Sequence, residues 1–240
     1  MLKKIVLFAM VLSFTLIFAN EKEVDYFQDY RKNPTFENFQ KAITYYNSNL
    51  KKDSKDYESN LYLSYLYFME MDKNVKTMQA NFDSLDTRTK FSLANLLLSL
   101  GKYEESLKYY DILNKDVPKW SCPWRHKGEA LLKLKRYNEA EEALKKAIET
   151  RKEHYDAYIM LAEVQNKLGK YKVALQTLET GLSYKGKDIE DSEDEVSDLD
   201  VQFLKLELFK KNNKMKEFKN LEKLLKEKAP KDERWNRINS

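Results

Sequence analysis

A period of 34 residues runs through the middle of this chain. Gly101, Lys135 and Gly169 fall 34 apart, and so do Tyr103, Tyr137 and Tyr171, Ser106, Ala140 and Ala174, and Leu100, Leu134 and Leu168. Four columns that stay in phase through three units mark an array of one supersecondary element, and an array decides architecture before any single helix is assigned. Within a unit, Trp124, Gly128, Leu131 and Leu134 recur at the steps of one helix face, and Ala140, Leu144, Ala147 and Ile148 do so along a second. The glycine column marks the turn between them. Gly101 and Gly169 stand where a left-handed residue must end the first helix, and the tyrosine two residues on packs back over that turn. Lys135 fills the same slot at some conformational cost. Small residues at Ala94, Gly128 and Ala162 in the first helix, and at Ala140 and Ala174 in the second, predict close approach within each pair. With 5 Gly and 4 Pro in 240 residues, turn punctuation is too sparse for a sheet-rich domain, and 42% apolar residues supply a packed core. The predicted class is all-α.

These residues resemble the tetratricopeptide repeat, whose pattern is W-x-x-L-G-x-x-Y, then a small residue, an aromatic and a closing Pro. Residues 121–154 match best, with Trp124, Gly128, Ala140 and Ala147 in place and Leu131 in the Tyr slot; they depart at Lys127 and Lys152. Residues 87–120 carry Leu93, Ala94, Leu97, Gly101, Tyr103, Tyr110 and the closing Pro118, and residues 155–188 carry Tyr158, Leu161, Ala162, Gly169, Tyr171, Ala174 and Leu178. A degenerate fourth unit fits 199–232, with Leu206, Phe218, Leu225 and Pro230, if 189–198 is an acidic insertion and Asn212 and Asn213 supply the turn. Residues 233–240 form a tail. Upstream, 20–86 is expected to hold two degenerate helix pairs, one over 26–50 broken at Asn33 and Pro34, the other over 57–86.

The resemblance implies a right-handed superhelical solenoid of antiparallel helix pairs. Its first helices would line a concave surface that receives an extended peptide or a helix, so the implied work is that of a non-catalytic protein–protein interaction scaffold or adaptor. In this register Asn95, Arg125, Glu129, Lys133, Glu163 and Lys167 occupy first-helix positions directed at that surface, and they are the candidate partner-binding residues. Their mixed charges point to a polar or amphipathic protein or peptide segment. Family members that grip a terminal carboxylate use Lys and Asn at slots which here hold Phe91, Asn95, Arg125, Glu129, Ile159 and Glu163, so only Asn95 matches.

The first nineteen residues read differently. Lys3 and Lys4 precede an apolar run over 5–18, and Ala19 offers a small residue before Asn20, which is the order of a secretory signal. Cleavage after Ala19 would leave a periplasmic or secreted protein engaged in envelope assembly or secretion; an uncleaved N-terminal anchor is the alternative, although the run falls short of about 18 residues. Loss of Lys3 and Lys4 lowers the net charge from +4 to +2. So neutral a chain has no electrostatic footprint for nucleic acid, and no membrane insertion is expected after cleavage.

Catalytic and metal chemistry finds little support. Cys122 is the single cysteine, so one chain has neither an internal disulfide nor a thiolate cage. His126 and His154 stand 28 apart without metal-ligand spacing, no glycine cluster cradles phosphate, and no nucleophile has a placed base. No enzyme activity, cofactor or metal is expected. Cys122, between Ser121 as a helix cap and Pro123, reads as a half-buried residue beside Trp120 and Trp124, or else as a redox-active thiol. The run 188–200 holds eight acidic residues and lacks the bend Gly of a calcium loop; it is expected to be solvated or to lie against the basic stretch 205–237. Tyr57, Tyr62, Tyr65, Tyr67 and Phe68 cover more than one helix face, either by extra burial or as a partner or sugar surface. The last reading makes a cell-wall or glycan-binding module the alternative function.

Overall fold

The computed structural model describes residues 25–187 and 197–239. The expected signal over 1–19 and the greater part of the acidic insertion, 189–196, lie outside the described residues. Among the described residues there are helices and no strand, arranged in two compact units that divide between Thr77 and Met78.

The first unit begins with the helix pair expected around Asn33 and Pro34, α1 (Tyr26–Lys32) and α2 (Phe36–Lys52). Asp25 and Thr35 cap them by accepting from the amides of Gln28 and Asn38. The cap of α2 is therefore Thr35, while Asn33 ends α1, because Pro34 disfavours the helical conformation for the residue before it. The second pair expected over 57–86 is not formed. These residues make one 24-residue helix, α3 (Tyr57–Ala80), and a 3-10 turn at Phe82–Ser84. No residue between Tyr57 and Ala80 is Gly or Pro, and none takes the left-handed conformation by which the repeat turns reverse the chain. Tyr30, Phe39, Ala42, Tyr46, Leu63 and Leu66 form the core of this unit, with the Tyr30 hydroxyl donating to Glu70 at 2.5 Å. The aromatic cluster divides. Tyr62 and Tyr65 pack on Phe27, with ring centroids 5.1 and 6.1 Å away, whereas Tyr57, Tyr67 and Phe68 remain exposed.

The second unit repeats one motif four times: α4 (Thr87–Ser99) with α5 (Tyr103–Asp116), α6 (Ser121–Lys133) with α7 (Tyr137–Thr150), α8 (Tyr155–Lys167) with α9 (Tyr171–Leu182), and α10 (Asp198–Lys211) with α11 (Met215–Lys228). Helix α12 (Arg234–Asn239) follows. The turns are alike. Gly101, Lys135, Gly169 and Asn213 have φ of 72, 61, 73 and 57°. In each turn that residue's N–H donates to the carbonyl three back and the next N–H to the carbonyl five back, which satisfies the last carbonyls of the first helix. The period read from glycines is thus a period in backbone conformation. Lys135 adopts it against a steric penalty of about 1–2 kcal/mol.

Packing follows the small residues. Ala94, Ala140, Ala162 and Ala174 are fully buried, and at Gly128 a Cβ would stand 2.5 Å from Cγ of Leu144 on α7. Two apolar cores result, and α8 serves both: Ala157, Leu161 and Val164 join the core shared with α4–α7, while Tyr155, Ile159 and Ala162 join the core shared with α9–α12. Each pair packs on itself and on its neighbour, so cohesion is of the nearest-neighbour kind. Helix α6 starts at Ser121 after Trp120, and neither caps it by a side chain; Ser121 is a buried first-turn residue rather than the expected cap, and Cys122 is half buried. The described end of the acidic run meets basic partners, Asp198 with Lys185 and Asp200 with Arg234. Arg234 also donates to both oxygens of Asp232, whose carboxyl is thereby held at about 2, and its guanidinium lies 4.5 Å from the Phe203 ring centroid.

Candidate partner-binding groove

First helices neighbour first helices in this array: α4 packs beside α6, α6 beside α8, and α8 beside α10. Between α4 and α6 lies an open cleft of about 540 Å³, walled by Asn95 and Ser99 on one side and by His126, Glu129 and Lys133 on the other. The repeat puts these residues there. Asn95 and Glu129 are 34 apart, as are Ser99 and Lys133, so successive helices present equivalent positions to the same space.

A polar network lies beneath the cleft. Arg125 is 3% exposed, with Nη1 3.3 Å from Glu129 Oε2 and Nη2 2.6 Å from His126 Nε2. A guanidinium has no acceptor, so His126 Nε2 must accept. That places the imidazole proton on Nδ1, which faces Glu129 Oε2 at 3.6 Å. The ring is stacked on Tyr110, centroids 6.0 Å apart, and meets the edge of Phe91 at 5.2 Å. The Tyr110 hydroxyl in turn donates to Asn95 Oδ1 at 2.7 Å, which leaves the Asn95 amide NH₂ as a donor. Burial raises the pKa of Glu129, but His126, the Arg125 guanidinium and Lys133 together outweigh it and hold the carboxyl below its ordinary value. The floor of the cleft is therefore ionised and fixed in orientation.

The six candidate residues fall into three groups. Asn95, Glu129 and Lys133 come together in the cleft. Glu163, half buried, and Lys167, exposed, hold the equivalent positions on α8 and do not line it. Arg125 is a correction: expected on the open surface, it is buried and supports Glu129 from within. Its column explains the burial, because the residues 34 before and after it are Phe91 and Ile159, and a polar side chain in an apolar column must find its partner inside. His126, Tyr110 and Phe91 also belong to the site, although repeat spacing alone does not direct them to the groove. The Arg125 to Glu129 spacing of one helical turn is the signal in the sequence that points to the network.

Among the described residues no group of three or more His, Cys, Asp or Glu side chains could hold a metal ion, and no helix is long and apolar enough to cross a membrane.

Comparison with known proteins agrees with this fold. Models of the tetratricopeptide repeat match residues 87–111 and 131–191. No curated protein matches the chain. Among solved structures, the chain is similar to pilF of Pseudomonas aeruginosa, at 17% identity and TM-score 0.58 over 89% of this chain and 95% of that one. It is similar also to YrrB, a TPR protein with an unusual peptide-binding site, at 22% identity and TM-score 0.52 over 65% of this chain and 74% of that one. MamA from Desulfovibrio magneticus RS-1 aligns at 19% identity and TM-score 0.51 over 61% of this chain and 77% of that one. At such identities the likeness is one of fold. Repeat matches at 87–111 and 131–191, four left-handed turns in register and consecutive antiparallel pairs show that this chain carries an array of tetratricopeptide repeats.

Proposed function

We propose that this protein is a non-catalytic scaffold that holds a protein or peptide segment in the groove along α4, α6 and α8, and that it acts outside the cytoplasm, in envelope assembly or secretion. Tetratricopeptide repeats are protein-interaction modules, and this array carries one. The observation that carries the groove reading is the buried Arg125–His126–Glu129 network, which fixes an ionised carboxylate at the floor of an open cleft between exposed polar residues. Packing alone has no need of it, and orienting polar groups from beneath is what a recognition surface requires. The partner is a polar or amphipathic segment that satisfies the Asn95 amide, Glu129 and Lys133 in turn. Export rests on the signal pattern of residues 1–19.

The groove test uses exposed or half-exposed residues only, because Arg125 is part of the interior. Replacing Lys133, Glu163 and Lys167 together by Ala should weaken capture of the partner from the envelope fraction while leaving stability within about 0.5 kcal/mol per site, as surface changes do. The control replaces Glu139, Glu142 and Lys146 on the outer face of α7, all exposed. Loss of capture in the control and retention in the groove variant would place binding on the second helices and refute the groove. Intact mass of the exported protein should correspond to a start at Asn20; a mass retaining residues 1–19 would make it an anchored protein.

A further inference from the structure

Helix α3 carries apolar residues on two opposite faces. One face, with Leu63 and Leu66, is buried in the core of the first unit. The other is a stripe at steps of 4, 3, 4 and 3 residues, Tyr57, Leu61, Ser64, Phe68 and Met71, open over its first three turns, where Tyr57 is 78% exposed, Phe68 49% and Leu61 37%, and closing at half-buried Met71 and buried Val75 on the same face. At 100° per residue these five positions lie within about 80° of one another, opposite the core face. Alternating steps of 3 and 4 are the pattern of a helix–helix seam, unlike the flat ring platform on which sugars stack.

We propose that this stripe is a self-association surface, on which α3 of one copy pairs antiparallel with α3 of a second copy about a two-fold axis near Ser64. The spacing of the stripe suits that symmetry. Its large residues lie seven and three positions before Ser64 and four and seven after it, so a two-fold rotation there brings Tyr57 against Met71 of the second copy and Leu61 against Phe68. Both are favourable contacts, one of them a thioether on an aromatic ring. Ser64, the small residue, falls where the two helices approach most closely. Charge does not oppose the pairing. The flanking residues on one side are Asn60, Tyr67 and Asn74, and on the other Asp72 is already neutralised by Lys76 at 2.6 Å, which leaves the Glu58 carboxylate beside the seam. The area is also sufficient. At roughly 150–250 Å² per aromatic side chain, the exposed parts of Tyr57, Leu61, Tyr67 and Phe68 come to about 330–510 Å² per copy. Two copies therefore bury about 700–1,000 Å², in the range of weak, concentration-dependent dimers.

The test uses protein purified as the cell processes it from the full-length chain. Sedimentation velocity should show a dimer at about 100 µM that dissociates near 1 µM, and Phe68→Glu should raise the dissociation constant at least about 10-fold without changing the melting curve, since that ring is half exposed. In a Cys122→Ser background, Ser64→Cys should form a disulfide-linked dimer under mild oxidation, while Ser54→Cys, which antiparallel pairing holds far from its counterpart, should not. A chain that stays monomeric at about 100 µM overturns the proposal. So does a dimer that Phe68→Glu leaves intact, or linkage through Ser54→Cys in place of Ser64→Cys.

Discussion

Gly128→Ala sets two effects of known sign against each other. In a helix interior, Ala is favoured over Gly by about 0.8–1.0 kcal/mol, so propensity alone predicts a more stable protein. The tertiary contact opposes this. The added Cβ would stand 2.5 Å from Leu144 Cγ and 2.7 Å from Cδ2, where carbon atoms prefer about 3.5–4.0 Å. Leu144 is fully buried, so it has no solvent side to move toward, and α6 and α7 must separate by about 1 Å. Overpacking of this kind costs about 1–3 kcal/mol. The two nearly cancel at the low end of that range, and with Leu144 unable to yield the contact outweighs the propensity, for a net loss of up to about 2 kcal/mol, or a few degrees in melting temperature for a chain of this length. Gly128→Leu should lose more. Urea and thermal unfolding followed by far-ultraviolet circular dichroism would measure it, and Leu144→Ala supplies the second side of a double-mutant cycle. Alone, Leu144→Ala should cost about 2–5 kcal/mol. With the isobutyl group gone the new methyl has room, so Gly128→Ala should be neutral or stabilising in that background, a coupling of about 1–3 kcal/mol. If Gly128→Ala leaves the parent chain as stable or more so, or costs the same in both backgrounds, close approach of the two helices is not what excludes a side chain at 128.

Glu129→Gln should destabilise the protein at neutral pH by about 1–3 kcal/mol, less than a fully buried pair because Glu129 is 23% exposed, by leaving buried Arg125 without its carboxylate. Because the folded pKa of Glu129 is lowered, its contribution is complete above about pH 4.5 and is lost as pH falls through the folded value, so urea midpoints of parent and variant should converge in acid; a gap that does not narrow as the pH is lowered below about 4.5 would refute the assignment. Lys135→Gly should raise the melting point by relieving a left-handed lysine, a gain of about 1–2 kcal/mol less about 0.5–1 that Gly loses in chain entropy, while Gly101→Ala should lower it by about 1 kcal/mol. Asn114→Leu should stabilise by about 1 kcal/mol: Asn114 is 5% exposed, both of its amide atoms lack a hydrogen-bond partner among the described residues, and its column mates are Ile148 and Leu182. An unchanged or lowered melting point would mean that residue 114 cannot accept an apolar side chain of that shape.

What is local, or repeats every 34 residues, was legible in the sequence. A left-handed turn needs only a residue that tolerates it, so the glycine column located all the turns between the helices of the repeats, and its extension past an insertion located Asn213. Close approach within a pair needs a small residue, and Gly128 with the alanine columns named those contacts. Contacts between distant segments settled the rest. Whether a polar side chain on a first helix faces the groove or the interior depends on neighbours one repeat away and on the second helix between them, and Arg125 lies inside against His126, itself packed on Phe91 and Tyr110, with Glu129 as counter-charge. The aromatic run of 57–68 could not be divided between core and surface from its own spacing, since α3 is apolar on two faces and only the position of α1 and α2 selects which is covered. Nor could the pattern show that 57–80 reverses nowhere: a degenerate repeat and an unbroken helix have the same apolar steps, and Asn60 and Asn74, of the same residue type as Asn213, stay helical here.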